Sequence, residues 1–132
     1  MQEKHLSNAP EVIELTLPVN SAYVSSARLT ASSISNRMGF DIDDIEDIKA
    51  AVSEACIFTI SQCLKAGEIN FHLEFFISKE GILINLTSNT NDNVVNTVDE
   101  DELGMKMIQT LMDEVEIKTE NGKFKISMKK NK

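Results

Sequence analysis

The pattern that most constrains the fold is a long helical one between Asp41 and Gly67. Asp41 is a typical N-cap, and Gly67 is typical of the residue just past a helix C-terminus. The apolar residues at helical spacing, which predict one buried stripe, are Ile45, Ile48, Val52, Ala55, Cys56 and Cys63. A stripe of this kind has to be covered by another layer of structure.

Strand patterns supply that layer. Five segments alternate or carry hairpin signals, and they are predicted as strands over 11–17, 69–78, 81–88, 115–119 and 123–128. The pair Asn121–Gly122 is a strong signal for a hairpin between the last two. Two further helices are predicted over 21–38, ended by Gly39, and over 103–112. This order predicts an α/β fold, a two-layer sandwich of helices on a mostly antiparallel sheet.

Composition indicates a single domain spanning residues 1–132, with 42% hydrophobic residues, enough for one core. Thirteen basic and twenty-one acidic side chains give a net charge of −8, which disfavours nucleic acid and anionic membranes as partners. No apolar run reaches the roughly 18 residues of a membrane span, and the first residues lack the apolar core of a signal peptide. A cytoplasmic protein is therefore expected. The basic residues near the end, Lys129, Lys130 and Lys132, are expected to be solvated.

Cysteine and histidine positions argue against metal or thiol chemistry. Cys56 and Cys63 are seven residues apart on the predicted long helix, too distant for a disulfide, and are expected to be buried free thiols. His5 and His72 are isolated from other ligating residues. No metal site is predicted.

Several motifs go beyond pattern, and together they resemble the bacterial anti-sigma factor serine kinases typified by RsbW. The segments that carry the resemblance are Arg28–Thr30, Ser35–Phe40, Asp44–Lys49, Ala51–Cys56, Leu103–Met105 and Thr110–Val115. The resemblance implies the histidine-kinase-like ATPase fold, which is shared with gyrase, Hsp90 chaperones and MutL. It also implies a homodimer that binds a sigma factor or an anti-anti-sigma (STAS) protein, with Arg28 as a partner contact. A solvated helix charge is the other interpretation of Arg28.

In that superfamily the Mg-ATP site has three parts. A helix carries Glu-x-x-x-Asn, in which the Asn oxygen binds Mg²⁺ and the Glu orients or deprotonates the nucleophile. A strand ends in Asp-x-Gly, whose carboxylate accepts a hydrogen bond from the adenine amino group. A glycine-rich turn before a later helix lets backbone N–H groups approach the phosphates.

Only some of these residues are present here. Glu54 matches the glutamate, but the asparagine position holds Phe58, which has no lone pair for Mg²⁺. Ser88 and Thr90 stand at the Asp and Gly positions of the strand end. In the phosphate turn Gly104 is retained, whereas the preceding glycine position is Glu102.

Three functional hypotheses follow. The first is an anti-sigma-type regulator that binds its partner but has lost ATP binding and kinase activity, so that it needs no cofactor. Phe58 would then fill the nucleotide space, and Glu54 would be a surface charge paired with Lys49 or Lys65. The alternative is an active ATP-dependent serine kinase with Glu54 as base and Mg²⁺ held by other oxygens, which would come from Asn85, Ser88, Asn89 or Asp92. The third is a structural or sensory module that uses only the scaffold.

Overall fold

The computed structural model describes residues 11–90 and 102–132. Five strands form one sheet in the order β1-β2-β3-β5-β4, with every neighbouring pair antiparallel. The strands are β1 (Glu11–Pro18), β2 (Asn70–Ile77), β3 (Gly81–Asn89), β4 (Glu114–Glu120) and β5 (Lys123–Asn131). Three helices pack on one face: α1 (Val24–Met38), α2 (Ile42–Ala66) and α3 (Glu102–Leu111). The predicted two-layer sandwich is confirmed.

Helix and turn boundaries follow the local signals in the sequence. Asp41 caps α2, because its Oδ1 accepts a hydrogen bond from the backbone N–H of Asp44 at 2.8 Å. Gly39 and Gly67 end α1 and α2 in the left-handed region, with φ of 88° and 75°. The residues of Asn121–Gly122 have φ of 56° and 73°, as expected for a two-residue hairpin turn.

The core lies between α2 and the inner face of the sheet, which is the face turned towards the helices. Its largest fully buried side chains include Phe71, Phe75, Leu73, Ile84, Leu86, Phe124, Ile126 and Met128. The predicted stripe of α2 is buried from Ile48 onwards, and Ile45 is half-buried. Tyr23, which falls within the predicted helix 21–38, lies instead in a short 3-10 turn (Ser21–Tyr23) before α1 and is 40% exposed.

The prediction of a solvated basic terminus is wrong for Lys130. Strand β5 stays paired with β3 as far as Asn131, so that Lys130 is turned inward opposite Ile82 and is only 8% exposed. Its Nζ donates to the carbonyl of Leu111 at 2.6 Å and lies 3.5 Å from Asp47 Oδ2 and 3.7 Å from Asp44 Oδ1. Lys130 thereby joins the C-terminal end of α3 to the first turns of α2.

Among the described residues, no helix combines the length and apolarity needed to cross a bilayer.

Candidate functional site

Phe58 is a core residue on the face of α2 that would have to present a metal ligand. It is 2% exposed, one turn after Glu54. Its ring lies 5.6 Å from that of Phe124, centroid to centroid, and the two planes are tilted by 46°. This is the distance range of a favourable aromatic pair. Phe124 belongs to β5, and no motif in the sequence singled it out.

Ser88 lies beside this aromatic pair. It is the last inward-facing residue of β3, opposite Phe124 in the strand register, and is 4% exposed. Its Oγ has no hydrogen-bond partner of good geometry among the described residues. Burial raises the pKa of the nearby Cys63 thiol, and the Ser88 side chain opposes that rise. A neutral hydroxyl therefore occupies the position at which the superfamily places a carboxylate.

The structure describes the strand end and the phosphate turn of the predicted site only incompletely. The backbone N–H of Thr90 donates to the carbonyl of Gly122 at 2.8 Å, which ties the end of β3 to the β4–β5 hairpin. Glu102 and Gly104 both belong to the first turn of α3. Asp92, one of the suggested oxygen donors, and the rest of residues 91–101 lie outside the described residues.

Glu54 is half-buried and makes no ion pair or hydrogen bond with any residue that the structure describes. The predicted pairing with Lys49 is wrong, because Lys49 Nζ lies 3.0 Å from Glu46 Oε2, one turn earlier on α2. The Glu54 carboxylate is thus retained without a fixed structural role.

Of the four oxygen donors suggested for an alternative Mg²⁺ site, the structure describes three, and it turns Asn85 away from Glu54. Asn85 is on the outer face of the sheet, opposite the helices, because β3 alternates and Ser88 faces inward. Asn89 is exposed, and its Nδ2 donates to Glu68 Oε1 at 3.3 Å. The prediction that Asn85 contributes to this site is therefore wrong.

Phe58 does not fit the Mg²⁺ ligand that the superfamily places at this position of α2. Mg²⁺ requires oxygen ligands in near-octahedral geometry, whereas the position after Glu54 offers a buried ring. In the described ranges, no group of three or more His, Cys, Asp or Glu could hold a metal ion. We therefore assign no catalytic step to a nucleotide at this position.

Two further predictions from the sequence can be located. Both cysteines are buried free thiols, as predicted, and burial raises the pKa of Cys56 to about 12. Arg28 is exposed on α1 and forms no ion pair among the described residues. Its neighbour Leu29 is 67% exposed, which places a charge and an apolar side chain together on the outer surface of α1.

Comparison with known proteins gives a consistent family. Residues 17–130 match the histidine kinase-like ATPase domain. The serine-protein kinase RsbW of Halalkalibacterium halodurans is 36% identical over 128 residues, covering 86% of this chain and 79% of that protein. RsbW of Bacillus subtilis is 32% identical over 134 residues, covering 89% and 84%.

A crystal structure containing the RsbU and RsbW domains of a Mycobacterium tuberculosis protein has the same fold. It aligns with a TM-score of 0.68 at 15% identity, over 91% of this chain and 31% of that longer chain. From the match over most of its length, the chain belongs to the RsbW serine-protein kinase family of histidine kinase-like ATPase domains.

Proposed function

We propose that this protein is a transcription regulator that acts by binding a sigma factor or an anti-anti-sigma protein of the STAS kind, without Mg-ATP. The Phe58–Phe124 contact is the observation that supports the absence of Mg-ATP. It places a buried aromatic ring where the superfamily has a metal ligand. Ser88, Thr90 and Glu102 support it, because each replaces a residue that holds adenine or admits phosphate.

Partner binding is supported by the surface of α1. Arg28 and Leu29 are exposed side by side, and an arginine next to an apolar side chain is a common anchor in protein interfaces. The motif that contains them is also among the segments that resemble the family.

An active serine-protein kinase is the second candidate, and the family comparison favours it. The relatives that match over most of their length are named serine-protein kinases. Glu54 is also retained, and its carboxylate forms no ion pair with any described residue. In this candidate Glu54 acts as the base that accepts the proton of the substrate hydroxyl. The names of the relatives favour a kinase, whereas the side chains at the site favour a protein that binds its partner without phosphorylating it.

Calorimetric titration with ADP and Mg²⁺ separates the two candidates. We expect no binding tighter than about 100 μM, which corresponds to roughly 5.5 kcal/mol. RsbW of Bacillus subtilis, titrated in parallel, is the positive control. A tighter dissociation constant for this protein, together with phosphate transfer from ATP to a STAS protein, would establish the kinase instead.

Arg28→Ala tests the partner surface. We expect the affinity for the sigma factor or STAS protein to fall at least tenfold, about 1.4 kcal/mol, because an interface arginine is often a dominant contact. The unfolding midpoint should not change, since Arg28 is exposed. Affinities are measured by biolayer interferometry against the purified sigma factors and STAS proteins of the host.

Arg37→Ala is the matched control, because Arg37 is in the last turn of α1, about two and a half turns further along the same helix. Equal loss from both variants, or no loss from Arg28→Ala, would remove the assigned role of Arg28.

A further inference from the structure

Apolar side chains are exposed on the outward side of α1 and α2, the side opposite the sheet. Ile57 and Leu64 on α2 are 50% and 67% exposed, and they follow the fully buried Ile48 and Ala55 by nine positions each. Nine positions are two and a half helical turns, so that both side chains point away from the core. Leu29 on α1 is also 67% exposed, two positions from a buried alanine on either side.

These side chains belong to one continuous surface. α1 and α2 pack against each other and are joined by only three residues, 39–41, so that they run antiparallel and residues equally far from the turn lie level. Leu29 is therefore near the level of Ser53, which is one turn before Ile57 on α2. The Ser53 hydroxyl donates to the carbonyl of Lys49 at 2.9 Å, which turns it back onto its own helix. The outer surface of α2 is therefore shallow at this level.

Two opposite charges border the exposed apolar side chains. Arg28 precedes Leu29 on α1, and Glu54 is three residues before Ile57 on α2. Neither charge forms an ion pair with a described residue, and Glu54 is half-buried. A partly buried carboxylate without a cation has lost hydration and gained no compensation, so that a cation from a partner is favourable there. We call these four residues and Leu64 the hairpin surface; exposed apolar residues bordered by charges are typical of interaction surfaces.

The hairpin surface has the dimensions of one helix. From Glu54 to Leu64, α2 rises by about 15 Å, which a helix of about ten residues spans when it lies alongside. Apolar residues at positions i, i+3 and i+7 of such a helix cover Ile57 and Leu64, as in other complexes of amphipathic helices. A basic side chain of this helix faces Glu54, and an acidic one faces Arg28. The surface thus fits an amphipathic helix that carries both charges.

Charge favours a sigma factor as the source of this helix. The protein has a net charge of −8, and the carboxylate of Glu54 requires a Lys or Arg from the partner. A sigma factor acts on promoter DNA, and proteins that bind DNA carry clustered Lys and Arg for the phosphates. A STAS protein has no such requirement. Electrostatic attraction therefore favours the sigma factor.

We propose that the hairpin surface binds an amphipathic helix of a sigma factor, whose apolar face covers Ile57 and Leu64 and whose basic side chain pairs with Glu54. This assignment rests on the proposed function, because it gives the sigma-factor partner a defined surface. It adds α2 to the contact made by Arg28. It also gives the retained Glu54 a role in binding rather than in catalysis.

Substitutions on α2 of the full chain test the assignment against the purified sigma factors of the host. We expect Ile57→Ser, Leu64→Ser and Glu54→Lys each to weaken binding of the sigma factor at least tenfold in biolayer interferometry. Glu54→Gln should make the affinity less dependent on salt between about 50 and 300 mM, because one ion pair is lost. The urea midpoints should stay close to that of the wild type, since none of these side chains is buried in the core.

Ile42→Ser and Glu80→Lys are the matched controls. Ile42 is 77% exposed at the other end of α2, and Glu80 is exposed in the β2–β3 turn. Both variants should bind the sigma factor like the wild type. Losses as large as those of the α2 surface variants would show that the effect is not specific to the hairpin surface, and would overturn the assignment.

The same measurements separate this assignment from the proposed function. If the wild type binds a sigma factor and the three α2 variants bind it equally well, or if they lose affinity only for STAS proteins, the hairpin surface is not the sigma-factor site and the proposed function stands. If the wild type binds neither a sigma factor nor a STAS protein, the proposed function fails, and this assignment fails with it.

Discussion

Phe58→Asn should lower the free energy of unfolding by about 4 kcal/mol. This substitution introduces the residue that the superfamily has at this position, but it removes a buried ring from Phe124 and places an amide in an apolar environment. Domains of this size are stable by only about 5–15 kcal/mol, so the loss should be evident in urea unfolding followed by circular dichroism. Adding ADP and Mg²⁺ should not restore the midpoint, because Ser88, Thr90 and Glu102 remain.

Ile57→Asn is the matched control, since it introduces the same residue at the adjacent position of α2. Ile57 is 50% exposed, and its replacement should cost less than about 1 kcal/mol. If Phe58→Asn does not fold, Phe58→Leu should still fold with a loss of about 1–1.5 kcal/mol. A Phe58→Asn protein as stable as Ile57→Asn would contradict the role of Phe58 as a core residue. Stabilisation of Phe58→Asn by Mg-ADP would instead show that Ser88, Thr90 and Glu102 do not prevent nucleotide binding.

Lys130→Met should lower the free energy of unfolding by about 2–3 kcal/mol. Methionine retains much of the apolar stem, so the variant reports mainly on the charge. It leaves the carbonyl of Leu111 without its 2.6 Å donor and removes the cation next to Asp44 and Asp47. We place the loss at the lower end for a buried ion pair, because the two aspartate side chains are 36% and 40% exposed and water compensates part of their charge.

Lys129→Met provides the comparison for this prediction. Lys129 lies 4.0 Å from Glu114, with side chains 42% and 70% exposed, and its loss should cost less than about 0.5 kcal/mol. Urea unfolding of the two variants under the same conditions gives the difference. Equal stabilities would mean that the contacts of Lys130 with α3 and α2 do not stabilise the fold.

Local signals in the sequence predicted the elements and their ends well. The caps at Asp41, Gly39 and Gly67 and the turn at Asn121–Gly122 act over at most four residues, through one hydrogen bond or one backbone conformation. The predicted strand over 123–128 ended too early, because pairing with β3 extends β5 to Asn131.

The sequence by itself determined the element order, the two-layer architecture, the family and the residues at the matched positions of its nucleotide site. The tertiary structure decided what those residues contact. Phe58 meets Phe124, Lys130 is buried against Asp47, and Asn85 faces away from α2. Each of these depends on the register of a distant strand, and a shift of one residue would turn the side chain to the other face. Local sequence patterns do not encode that register, which is set by packing between segments far apart in the chain.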